Sequence, residues 1–120
     1  MIISDNSSAL SERRRSRRYR LSSEIHVIDQ WRNENLGKLV NIHQQGLLIV
    51  GTCLSVSSSH QITLFLPNSI NQHRRFDLGI ECLWHEKTSD ESALYWCGCS
   101  IIDKSSQADA CIQALINIQS

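Results

Sequence analysis

The 120-residue chain predicts a mainly β fold, a six-stranded antiparallel β-barrel with a C-terminal α-helix and a flexible N-terminal arm, and three observations carry that prediction. Phe76, Leu78, Ile80, Cys82 and Trp84 are five alternate apolar positions with Asp77, Gly79, Glu81 and His85 among them, the period of a half-buried antiparallel strand. Shorter runs of the same kind recur along the chain, separated by polar connections. At the C-terminus the apolar spacing changes to three and four, through Ala108, Cys111, Ile112, Leu115 and Ile116, which makes a helical stripe.

Residues 1–11 are small and polar without periodicity and read as a disordered tail. The domain is expected over 12–118, divided into an arginine-rich arm at 12–20, a barrel at 24–103 and a helix at 106–118. In the first strand, Glu24 to Trp31, Ile25 and Val27 lie two apart; Arg32 to Gly37 reads as the hairpin connection and Lys38 to His43 as the returning strand. There Val40 and Ile42 are expected to point inward, leaving Asn41 and His43 together on the outside. Gly46 permits a turn before the apolar run Leu47 to Val50. Ile62, Leu64 and Leu66 alternate in a fourth strand that Pro67 should end, and Asn68 to His73 reads as a loop. Trp84 is assigned to the core stripe of the fifth strand. A polar hairpin around Thr88 to Glu91 leads to a sixth, with Tyr95, Cys97, Cys99 and Ile101 on one face and Trp96 and Gly98 on the other. Ser106, followed by Asp109, is the expected helix cap.

Charge is distributed unevenly. The net charge is zero, yet Arg13, Arg14, Arg15, Arg17, Arg18 and Arg20 supply 6 of the 12 basic residues within eight positions, and from residue 21 onward 6 basic residues face 10 acidic ones. Arginine combines delocalised charge, bidentate donors and a planar surface, so this run suits a ligand bearing phosphates and nucleobases.

Arg13, Arg14 and Arg18 form an RRxxxR segment, and Asn41, His43 and Gly46 follow about two dozen residues later as NxHxxG. In this order and spacing the chain resembles the PilZ family, whose pattern is RRxxxR on a flexible arm followed by (D/N)xSxxG in the barrel. The resemblance extends over most of residues 12–118, including the strand ending at Trp84, the Gly98 strand and the final helix. It implies a PilZ-like barrel whose ligand is cyclic di-GMP, singly or as an intercalated dimer. Arg14 and Arg18 would contact guanine edges and phosphates, Asn41 a guanine, and Gly46 would allow the turn and a close backbone approach. His43 stands where the family has a small serine; imidazole either clashes there or replaces the hydroxyl with a ring N–H, a contact that strengthens on protonation.

The expected function is therefore a cyclic di-GMP receptor or adaptor that orders its arm on binding and signals to a protein partner, without catalysis or cofactor. The alternative is a degenerate PilZ-like interaction module that no longer binds nucleotide. Nonspecific nucleic-acid binding through the arm ranks third, because the body is acidic and shows no recognition helix. His26, His60, His73 and His85 have no fixed partner in sequence, and no nucleophile motif is present. Cys53, Cys82, Cys97, Cys99 and Cys111 fit neither a disulfide framework nor a zinc pattern and read as mostly buried thiols, with no metal. No apolar run approaches the roughly 20 residues of a membrane helix, and the N-terminus lacks a signal-peptide core, so a cytoplasmic location without membrane contact is expected.

Overall fold

Alternating β-branched and aliphatic residues give each strand one apolar face, and a sheet with one such face can bury it by closing on itself. The computed structural model describes residues 25–70 and 72–119. These form six strands, β1 His26–Asp29, β2 Glu34–Ile42, β3 Gly46–Gly51, β4 Ser59–Ile70, β5 His73–Lys87 and β6 Tyr95–Lys104, followed by α1 Ser106–Gln119. Every pairing is antiparallel, and the order β1-β2-β3-β6-β5-β4 closes into a barrel. Val27, Leu39, Ile49, Ile62, Leu64, Ile80, Cys82 and Cys97 fill the interior, and Ala108, Cys111, Ile112 and Leu115 of α1 join the same buried cluster. The helix packs on β2, β5 and β6 and covers the end of the barrel where β2 and β6 finish.

Local chemistry moves several boundaries from their expected places. The first hairpin turns at Gln30–Asn33 rather than Arg32–Gly37, because Asn33 adopts a left-handed φ of 56° and its N–H reaches the Asp29 carbonyl at 2.7 Å. β4 continues past Pro67 to Ile70 and β5 begins at His73, so most of the expected loop is strand. Gly46 opens β3 instead of occupying the turn. The helix cap is Ser105, whose hydroxyl accepts the Ala108 N–H at 3.1 Å.

Two β-bulges matter more, because each reverses an inside–outside assignment. Leu39 and Ile42 are both fully buried although they lie three apart. The register explains this: Leu39 pairs with Ile49 and Asn41 with Leu48, so Val40 is the extra residue and Ile42, not Val40, shares the interior with Leu39. On β5, Cys82 pairs with Cys99 and Trp84 with Gly98, leaving Leu83 extra. Leu83 and Trp84 therefore both turn outward, at 54% and 46% exposure, and Trp84 is not a core residue.

Asp29 ties the barrel end opposite α1. It is buried; its Oδ1 accepts the N–H groups of Trp31 and Arg32 at 2.9 and 3.0 Å, and its Oδ2 lies 3.4 Å from His60 Nδ1. His60 Nε2 in turn meets the Ser58 hydroxyl at 2.8 Å, which donates to the Ser55 carbonyl at 2.6 Å. The carboxylate–imidazole–hydroxyl line thus braces a turn, and its hydroxyl proton is committed to a main-chain carbonyl. Burial pushes the Asp29 carboxyl up, but the Arg32 N–H, the His60 ring and the Trp31 N–H together hold it below its ordinary value. A depressed carboxyl means that the unfolded chain binds the extra proton. Its stabilisation is complete above about pH 5 and lost as pH falls through the folded value. In urea unfolding, Asp29→Asn should therefore lose less stability than wild type between pH 5 and pH 3; equal losses would remove Asp29 from the acid response.

Candidate functional site

The register places the sequence-selected residues on the outer face of β2, β3, β6 and β5. Asn41 pairs with Leu48, Leu48 with Gly98, and Gly98 with Trp84, one continuous row across four strands with a bulge at each end. Three inter-strand steps make it roughly 14 Å wide. A second row begins beside the exposed His43, whose N–H donates to the Gly46 carbonyl at 2.8 Å; Gly46 pairs with Ser100 and Ser100 with Glu81. On the other side lies a third row of Lys38, Val50, Trp96 and Glu86.

Gly46, Gly98 and Ser100 are the small residues of this face. A Cβ on Gly98 would lie 2.2 Å from Trp84 Nε1 and 2.3 Å from Cε2, so the indole rests directly against the Gly98 backbone. A Cβ on Gly46 would meet the Cys99 carbonyl at 2.9 Å. Glycine at these two positions lets neighbouring groups approach the backbone. The result is a surface with an amide and an imidazole on one side, an indole lying over Gly98 and a carboxylate on the other, and Gly46 and Ser100 between.

The turn carrying His43 is held from below. Lys104 Nζ donates to the Gln44 carbonyl at 2.8 Å and to Gln44 Oε1 at 2.7 Å, and pairs with Asp109 of α1 at 2.9 Å. Gln44 Nε2 donates to Gln113 Oε1, also on α1, at 3.0 Å, while the Ile101 N–H reaches the Gln45 carbonyl at 2.9 Å. The turn is thereby fixed to both β6 and the helix.

Asn41, His43 and Gly46 are thus brought together. Arg13, Arg14 and Arg18 lie outside the described residues. Sequence reasoning missed Glu81, Ser100, Lys104 and the outward Trp84. For Trp84 a signal existed: three consecutive apolar residues, Cys82, Leu83 and Trp84, cannot all alternate, which marks a bulge. None of the three tryptophans sits in the core: Trp31 is 80% exposed, Trp84 half-exposed and Trp96 half-buried.

Other clusters offer less. Cys82, Cys97, Cys99 and Cys111 are buried, burial raises all four thiols, and Cys99 is pushed up to about 12, so they remain protonated and unreactive. Cys53 is exposed. Among the described residues no group of three or more His, Cys, Asp or Glu side chains is placed to hold a metal, and no helix is long and apolar enough to cross a membrane. A polar cavity of about 520 Å³, lined by Arg74, Arg75, Asp103 and Lys104 among others, contains none of Asn41, His43, Gly46 or Trp84.

No family model and no curated protein matches the chain by sequence. Among solved structures, the Bacillus subtilis inhibitor of motility (MotI/DgrA) is similar, with a TM-score of 0.61 and 16% identity over 87% of this chain and 50% of that one. The chain thus spans half the length of that protein. The fold is PilZ-like: a closed six-stranded antiparallel barrel with a C-terminal helix.

Proposed function

We propose that the chain is a cyclic di-GMP receptor in which the N-terminal arm closes the ligand onto the outer face of β2, β3, β6 and β5. The observation that supports this reading is the row from Asn41 to Trp84, which presents an exposed amide and an indole lying over Gly98 on one face of four neighbouring strands. The face is short of positive charge: its three rows carry one cation, Lys38, against Glu81 and Glu86. A ligand with two phosphates needs cations from elsewhere, and six arginines stand within Arg13 to Arg20. A resemblance in fold to a protein named as an inhibitor of motility favours a regulatory role, exercised through a protein partner, over catalysis.

The reading is tested by mapping. Titrating cyclic di-GMP into isotope-labelled protein should shift the amide resonances of Asn41, His43, Gly46, Gly98 and Ser100. Those of Gly37 and Gly51, paired at the far end of the same sheet, should stay in place. Shifts confined to the cavity beside α1 would reject this placement. One specific observation favours a second reading, a PilZ-like interaction module without nucleotide: His43 presents an imidazole where the family pattern has a serine hydroxyl.

A further inference from the structure

Glu81 projects onto the same outer face, between the buried Ile80 and Cys82, in register with Ser100 and two β6 positions from the row that ends at Trp84. It is half-buried, and among the described residues its carboxylate has no hydrogen-bond or ion-pair partner. A carboxylate is an acceptor alone and repels phosphate. In a site for an anionic nucleotide it is compatible only with the part of the ligand that presents donors.

Guanine carries such donors side by side, N1–H and the 2-amino group, on the edge opposite the imidazole ring. Adenine has no N1–H and no 2-amino group. A purine resting on Trp84 lies about 7 Å along the strand from the Glu81 row, so a base edge can bridge the two.

We propose that Glu81 is a specificity-determining residue that selects guanine by accepting N1–H and the 2-amino group. This rests on the cyclic di-GMP reading and names the base chemistry at its far side. Asn41 lies at the opposite end of the neighbouring row, the one that ends at Trp84.

The test compares cyclic di-GMP with cyclic di-IMP, whose hypoxanthine lacks only the 2-amino group, on wild type and Glu81→Ala by calorimetric titration. Wild type should prefer cyclic di-GMP by about tenfold or more, the discrimination expected when a half-buried acceptor loses one of its two donors. In Glu81→Ala that preference should fall to about threefold or less, with the thermal unfolding midpoint unchanged. An undiminished preference would overturn the inference while leaving the receptor reading intact, whether or not overall affinity fell; the carboxylate would then serve a ribose hydroxyl or an arm arginine. Wild type binding neither ligand would overturn the receptor reading and this inference with it.

Discussion

Replacing Arg14 or Arg18 with alanine is expected to weaken cyclic di-GMP binding at least about 100-fold, the ~3 kcal/mol typical of truncating one member of a desolvated charge pair. The barrel should be unaffected, because the core among the described residues is built from Ile25 to Leu115, outside the arm. Unchanged thermal unfolding with lost binding would locate the effect in ligand capture. In the proposed receptor the arm would supply most of the positive charge that the ligand requires, since Lys38 is the lone cation among the three rows of the described face. The identity of the arginine also matters. If the arm were a nonspecific polyanion clamp, Arg15→Ala or Arg20→Ala would cost as much as Arg14→Ala, and losses would scale with the number of arginines removed. The specific reading predicts that Arg14 and Arg18 dominate.

Leu39→Ala should destabilise the barrel by about 3 kcal/mol, within the range for large-to-small changes at sites that cannot collapse. Leu39 is fully buried, opposite Ile49, and its neighbours are strand residues fixed by main-chain hydrogen bonds. For a domain of this size the unfolding midpoint should drop by roughly 12–24 °C. The substitution has a second consequence. Leu39 and Ile42 are the two anchors that hold the Val40 bulge, and the bulge faces Asn41 outward. Val40→Ala, at the half-buried extra residue, should cost much less. Similar losses at both positions, measured by urea unfolding, would contradict the bulged register.

These two residues also mark where sequence reading reaches its limit. Most of the strands and the helix stripe were legible because alternation and the spacing of three and four report directly on burial; Ala108, Cys111, Ile112 and Leu115 are all buried as the stripe requires. A bulge adds one residue and inverts the alternation beyond it. Strict period two therefore put Val40 inside in place of Leu39, and put Trp84 in the core. The exposure of Asn41 was expected from that period, but it is secured by the bulge, with Leu39 and Ile42 as its inward neighbours.

The candidate site was legible where one motif supplied it. Asn41, His43 and Gly46 are close in sequence and stay close in space. Glu81, Trp84, Gly98 and Ser100 come from β5 and β6, and only the pairings β3·β6 and β6·β5 bring them beside the motif. Lys104 was equally hidden: its two contacts to Gln44 span 60 positions of sequence. The Ser105 cap and the Asn33 turn were displaced by one to a few residues, because several Ser, Asn and Asp side chains offer competing main-chain hydrogen bonds at each boundary.

The most direct test of the central claim is calorimetric titration of the purified full chain with cyclic di-GMP, using GTP as control. Saturable binding at micromolar affinity or tighter, with GTP silent, is the predicted result, and the stoichiometry would distinguish one ligand from an intercalated pair. Absence of heat from protein shown to be folded would contradict the receptor reading and make the face between Asn41 and Trp84 a surface for another protein.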